Sequence, residues 1–238
     1  MNIILFQQWP DNHCIPYSDY RGEHIRKVLR LSPGDSFSMG KVNGDRGIAT
    51  IDSMDETGIH YSFNRTAGVL ALHPVTLLVA QVRPICMKRI LREAVSLGVE
   101  ELLVVGADTA ERSYGSAKLW STGEYEKYLL DGAMQAGQTA LPRFSLLESI
   151  DDFLKRPQHW IHRILLDNVD HNPPLSKAEG LGAPVLLAVG PERGWSDRER
   201  TLFVDSGFMT RTLGGRILRT ETACSAGLAV LLGRMGLL

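Results

Sequence analysis

The stretch Pro184 to Phe208, "PVLLAVGPERGWSDRERTLFVDSGF", contains a strand, a loop and a helix in that order. Val185 to Val189 is an unbroken apolar run between Pro184 and Gly190, the pattern of a strand covered on both faces in a parallel sheet. Ser196 followed by Glu199 is a capping box, so a helix is predicted over Asp197 to Asp205, stopped at Gly207. Between strand and helix, Gly190 and Gly194 flank Pro191-Glu192, and glycines there let backbone groups approach a ligand without side-chain obstruction. A glycine-bearing strand-to-helix turn is also an ordinary connection, so the loop alone supports either reading. It lacks the lysine of a Walker loop and the spacing of G-x-G-x-x-G, which disfavours a nucleotide held through its phosphates.

The alternation continues in both directions. A short strand around Met209 to Leu213 leads through "LGGRILRTETA", Leu213 to Ala223, into a last helix over Thr222 to Met235. By themselves Arg216 and Arg219 read as loop arginines, with Glu221 pairing one of them and Thr220 or Thr222 capping the helix. Upstream, Val75 to Val82, Glu101 to Gly106 and Ile164 to Asp167 read as buried strands, and Met87 to Leu97 and Glu124 to Ala136 as helices stopped at Gly98 and Gly137. Strands alternating with helices predict an α/β domain, a mostly parallel sheet with helices on both faces, whose ligands sit beyond the carboxyl ends of the strands. The loops after Gly190 and after Leu213 both fall at such ends.

The texture differs before about residue 70. Asn2 to Gln7, Phe37 to Val42, Gly47 to Met54 and Gly58 to Asn64 read as short strands with a turn at Asn43-Gly44, which predicts a small N-terminal β-barrel or sandwich. One helical piece, "YRGEHIRKVLRLSPGD", has Ile25, Val28, Leu29 and Leu31 on an apolar face and Arg21, Arg26, Lys27 and Arg30 opposite. Gly68 to Pro74 reads as a linker between domains 1–68 and 74–238.

Composition narrows the class. The 238 residues are 44% apolar, enough for a real core, and 26 Lys plus Arg balance 27 Asp plus Glu. Nucleic-acid binding must therefore come from local patches. Cys14, Cys86 and Cys224 are an odd set without close pairing, as expected in a reducing cytoplasm and not of a disulfide framework or zinc site. Cys224 reads as a buried core residue. His159 and His162 lack a third ligand at metal spacing, so no metal is expected. No G-x-S-x-G elbow is present. The apolar run Ile3 to Phe6 is too short for a signal peptide, and no stretch approaches the roughly 20 apolar residues of a membrane span, so no membrane partner is expected.

"GPERGWSDRE" followed by a short strand and "LGGRILRTETA" closely resembles the paired C-terminal motifs of the 16S ribosomal RNA uridine-N3 methyltransferase family, a branch of the SPOUT methyltransferases. "RGEHIRKVLRLSPGD" is similar to that family's N-terminal RNA-binding segment, "LREAVSLGVEELLVV" to its first helix and strand, and "LLDGAMQAGQTALP" to its second helix. The resemblance implies a homodimer of two-domain chains, with a PUA- or OB-like N-terminal barrel and a trefoil-knotted C-terminal α/β domain. It implies S-adenosylmethionine as cofactor, held by Leu166, by Gly190, Pro191 and Glu192, and by Leu213, Gly214, Arg216, Ile217, Leu218 and Thr222. The implied reaction is methylation of N3 of a uridine in the rRNA of the small subunit, with Arg219 steadying charge on the base and Glu221 or Glu192 accepting the proton or orienting Arg219. Arg21, Arg26, Lys27 and Arg30 would grip RNA phosphates.

The sequence departs from that family's pattern in places. Arg193 stands where a loop glycine is usual, Arg83-Pro84-Ile85 where Lys-Gly-Asp is usual, and Ser96, Met134 and Gln138 replace charged residues. Cofactor binding survives these differences better than target identity. They leave room for a non-catalytic RNA- or ribosome-binding paralogue, or for an enzyme acting at another RNA position.

Overall fold

The structure is a computed structural model and describes residues 2–169 and 172–238. The chain divides into two compact units, Met1–Ala71 with Ala133–Leu141, and Leu72–Gly132 with Pro142–Leu238. The return of Ala133–Leu141 to the first unit is absent from a linear reading of the sequence, which sees only a helix end and a turn there.

The first unit contains β1 (Ile4–Phe6), β2 (Cys14–Ile15), α1 (Tyr20–Glu23), β3 (Ser36–Lys41), β4 (Arg46–Asp55) and β5 (Gly58–Ala67). They form a five-stranded sheet in the order β1-β3-β4-β5-β2, with β1 parallel to β3 and the other pairs antiparallel. Asn43 takes the left-handed conformation (φ 52°) in the turn between β3 and β4, while Gly44 keeps an ordinary φ. Alternate residues point inward: Phe37 and Met39, Ala49 and Ile51, Ile59 and Tyr61 pack with Ile4, Phe6, Ile15 and Ile25. A closed barrel requires β1 and β2 to pair, and among the described residues no ladder joins them.

The helix predicted over Tyr20 onward differs from expectation. Asp19 caps α1 by accepting from the Arg21 backbone N–H at 2.9 Å, but α1 gives way at His24 to a widened π-type turn, His24–Leu29. Hydrogen bonding to the fifth residue breaks the 3.6-residue period on which the apolar face was read. Ile25 stays in the core and Leu31 packs at its margin, whereas Val28 and Leu29 are 65% and 38% exposed.

The second unit contains β6 (His73–Ala80), α2 (Pro84–Ser96), β7 (Val99–Val105), α3 (Lys118–Ser121), α4 (Tyr125–Ala136), β8 (Arg143–Leu147), α5 (Ile150–Leu154), β9 (His162–Leu166), β10 (Val185–Val189), α6 (Asp197–Asp205), β11 (Met209–Arg211) and α7 (Thr220–Arg234). All six strands run parallel, in the order β11-β9-β10-β6-β7-β8. One face buries Leu78, Ala80, Leu103, Val105, Leu186 and Ala188 under Phe153, Trp160, Trp195, Phe203 and Phe208. On the other, α2 and α7 lie against each other and against β6, β7 and β10. Burial on both faces explains the uninterrupted apolar runs. The edge strand β8, "RFSLL", is only half-buried and carries no such run, so the sequence did not reveal it.

Two glycines set helix approach. A Cβ at Gly227 of α7 would lie 2.8 Å from Leu166 and 3.1 Å from Leu187. A Cβ at Gly132 of α4 would lie 2.6 Å from the Arg92 carbonyl oxygen and 2.8 Å from the Val95 Cβ of α2, and the Ser96 hydroxyl donates to the Gly132 carbonyl at 3.1 Å. On propensity alone Gly132→Ala would stabilise α4 by about 1 kcal/mol. The clash is with backbone, which cannot rotate away, so we expect a net loss of about 1–3 kcal/mol. A urea midpoint unchanged or raised in Gly132→Ala would contradict this packing.

Candidate functional site

The carboxyl ends of β9, β10 and β11 lie at one end of the sheet, where ligands bind in open parallel sheets. The segments that follow, Asp167 to Val169, Gly190 to Trp195 and Leu213 to Leu218, enclose a cavity of about 300 Å³. Local chemistry fixes each. The Asp167 carboxylate, its side chain 3% exposed, accepts from Arg200 Nε of α6 at 2.7 Å and from the Val169 backbone N–H at 3.0 Å. Burial works against the charge on Arg200, but its bonds to Asp167 and Asp197 outweigh that and raise its pKa.

The Gly190 to Trp195 loop is held from three sides. Thr220 of α7 donates its hydroxyl to the Gly190 carbonyl at 3.2 Å, and Thr109 donates to the Gly194 carbonyl at 2.5 Å. The predicted capping box is present: Ser196 Oγ accepts from the Glu199 N–H, and the fully buried Glu199 carboxylate accepts from the Ser196 N–H at 2.8 Å. Its other oxygen accepts from the Asp108 N–H at 2.9 Å, tying the loop after β7 to the loop after β10. Arg198 donates to Asp108 and then Asp151, bonds that raise the pKa of the guanidinium, while Arg198 and then Ser196 hold Asp108 below the usual carboxylate range.

The two loop glycines have different reasons. Gly194 has φ 71°, a conformation that costs other residues about 1–2 kcal/mol. Gly190 has ordinary φ, but a Cβ there would lie 3.2 Å from the Trp195 indole nitrogen. Trp195 packs under the loop against Phe203, and its indole N–H is buried with no acceptor among the described residues.

A second cavity, of about 440 Å³, shares Glu192, Arg193, Ile217 and Leu218 with the first. Its remaining walls include Arg83, Cys86, Tyr114, Arg219 and Glu221. Glu221 is nearly buried, 4.0 Å from Arg89 of α2, and does not pair with Arg216 or Arg219 as the sequence suggested. Burial first and Glu221 second push the Cys86 thiol pKa up. Cys224 is fully buried and its pKa raised by that burial, so its thiol stays protonated.

Most of the expected cofactor residues therefore converge: Leu166, Gly190, Pro191, Glu192, Leu213, Gly214, Arg216, Ile217 and Leu218 all line the first cavity. Thr222 does not. The last helix starts earlier than predicted, at Thr220, with Arg219 at its N-cap and no side-chain cap, and this turns Thr222 outward. Neither threonine caps, because Thr220 donates to Gly190 instead. The four basic residues expected on one N-terminal face are engaged differently: Arg21 is ion-paired to Asp19 over the Phe6 ring, Lys27 is paired to Glu23, and Arg26 lies over Tyr17. Arg30 is exposed at the end of the widened turn. His159 lies against Trp160 with the rings tilted by 32°, and among the described residues no cluster of three His, Cys, Asp or Glu could hold a metal. Sequence reasoning missed Asp167, Trp195 and Arg200. Trp195, a large aromatic between Gly194 and the Ser196 cap, was the available signal.

The parallel sheet and the cavity beyond its strand ends define a class, and comparison with known proteins gives it a name. A model of the RNA methyltransferase domain matches residues 70–232, and the chain belongs to that family. It is 36% identical to ribosomal RNA small subunit methyltransferase E of Treponema pallidum (strain Nichols), over 98% of this chain and 91% of the relative. It is 30% identical to ribosomal RNA small subunit methyltransferase E 1 of Borreliella burgdorferi, over 95% of each. In fold it is similar to the crystal structure of a ribosomal RNA small subunit methyltransferase E from Neisseria gonorrhoeae bound to S-adenosyl methionine, with TM-score 0.79 and 20% identity over 98% of this chain and 97% of that one. No helix among the described residues is long and apolar enough to cross a membrane.

Replacing Glu199 by glutamine turns an NH2 group toward one of the two buried backbone N–H donors. Leaving a buried donor unsatisfied costs about 1–3 kcal/mol. Glu199→Gln should lower the urea midpoint accordingly; an unchanged midpoint would mean that the two loops are held by something else.

Proposed function

We propose that this protein methylates N3 of a uridine in small-subunit ribosomal RNA, with S-adenosylmethionine as donor. The observation that carries the proposal is the first cavity, built from three loops at adjacent strand ends, in a chain whose relatives are named for this class of activity. The residues fit the cofactor. The unsatisfied Trp195 N–H calls for an acceptor. Gly194 and Gly214, with φ of 71° and 105°, keep the loops open at the cavity wall. The missing phosphate loop is consistent with a ligand that has no phosphate.

Leu166, Gly190, Pro191, Glu192, Leu213, Gly214, Arg216, Ile217 and Leu218 would hold S-adenosylmethionine, which when bound supplies an electrophilic methyl group on a sulfonium sulfur. The chain itself must bring N3 to that methyl and remove the imide proton. We assign the second cavity to the target base, Arg219 to steadying negative charge on its carbonyl oxygens, and Glu192, on the wall shared by both cavities, to the proton. Glu221, turned toward Arg89, orients this end of α7.

The remaining parts of the reading are equally our own. The N-terminal unit is a PUA- or OB-like RNA-binding module. Arg26 and Arg30 make its phosphate contacts, supported by Arg21 and Lys27, whose charges are already partly satisfied. The C-terminal unit carries the trefoil knot of the family, and the protein works as a cytoplasmic homodimer on the assembled small subunit.

Calorimetry with S-adenosylhomocysteine should show one site per chain; no binding would remove the enzymatic reading. Small-subunit rRNA from cells lacking the gene should lose one methyluridine by mass spectrometry and regain it on complementation. Arg219→Ala should lower kcat about 10²- to 10³-fold, the effect of losing one preorganised charge-stabilising donor, without changing cofactor affinity. A full rate in that variant would refute the role of Arg219.

A further inference from the structure

The second cavity is lined by two arginines that break the same local rule. Arg83 is the N-cap of α2 and Arg219 the N-cap of α7, positions where Ser, Thr, Asp or Asn is preferred and where a cation opposes the helix dipole. Neither gives its helix a side-chain cap. Local misfits of this kind point to a functional demand. Arg193, also on this wall, and Arg219 form no ion pair among the described residues.

Arg83 is the more constrained of the two N-cap arginines. Its Nε donates to the Tyr114 hydroxyl at 3.4 Å, and its backbone N–H donates to Glu192 Oε1 at the same distance. Those bonds leave the terminal guanidinium nitrogens without a protein acceptor among the described residues. Tyr114 is itself fixed. The Trp120 indole donates to its carbonyl at 2.9 Å, and the following Gly115 sits so close to Gln81 that a Cβ would lie 3.0 Å from the amide oxygen.

A uracil has one carbonyl oxygen on each side of N3. When N3 loses its proton, the negative charge spreads onto both oxygens, so donors are needed on two sides while N3 faces the methyl group. We propose that Arg83, aimed by Tyr114, is the second arm of the base site and donates to one uracil carbonyl oxygen while Arg219 serves the other. The N3–H bond breaks with its electron pair remaining on the imide, and the proton passes to the carboxylate assigned above. The arginine pair is thus specificity-determining for this chain, since the arginine that meets the C4 oxygen accepts uracil and faces the amino group of cytosine as a like donor. Tyr114 is a positioning residue.

This inference rests on the function proposed above, and the experiment separates the two. Methyl transfer from radiolabelled S-adenosylmethionine to small subunits from cells lacking the gene is followed from pH 7 to 10. If the wild-type protein transfers no methyl, the proposed function fails and this inference with it. Given wild-type transfer, Arg83→Ala should lower kcat at pH 7.5 about 10- to 100-fold. The deficit should narrow as pH rises and the imide ionises unaided, with S-adenosylhomocysteine affinity unchanged by calorimetry. Tyr114→Phe, which keeps the ring and loses only the hydroxyl, should show a milder deficit of about 3- to 10-fold with the same pH dependence. A wild-type rate in Arg83→Ala, or a deficit independent of pH, would overturn the inference and reduce the pair to a clamp on α2.

Discussion

Everything at the candidate site depends on the insertion of β10 between β9 and β6. All five of its residues are buried, and its backbone is paired on both edges, Val189 opposite Leu166 on one side and Val79 on the other. A strand placed so deep must find partners for every N–H and C=O, because an unpaired backbone group there costs as much as a lost hydrogen bond. That requirement fixes its register, and the register brings the Gly190 loop level with the segment leaving β9. The neighbouring β11, paired to β9, then delivers the Leu213 loop to the same end. The first cavity follows from backbone hydrogen bonding before any side chain is considered.

Side chains then hold the loops open. The buried Glu199 carboxylate satisfies backbone donors of two loops, and the Asp167–Arg200 pair does the same for a third. These are polar groups inside an apolar frame, tolerable because nearly every one has a partner. The Trp195 N–H is one exception, without an acceptor, and Arg193 and Arg219 on the cavity walls form no ion pair among the described residues. A buried donor and free cations left without partners at a cavity wall suit a ligand that offers acceptors.

Much of this was legible beforehand. The parallel strands were visible as apolar runs, α6 as a capping box with a glycine stop, and the two cavity loops as glycine-bearing segments at strand ends. What failed was local bookkeeping at helix starts. The widened turn after α1 destroyed a face read with the wrong period, and α7 began early because Thr220 was recruited by the Gly190 carbonyl, a partner far away in sequence. Asp167 and Arg200 were invisible for the same reason, since each makes sense only beside the other.

The sequence by itself determined which segments form strands and helices and where backbone freedom is needed, because periodicity, caps and glycines act over a few residues. Only the tertiary structure decided which strand ends become neighbours, which carboxylate meets which arginine, and which cations are left without a partner. Those are long-range pairings, selected by the burial of the whole sheet, and no local pattern encodes them.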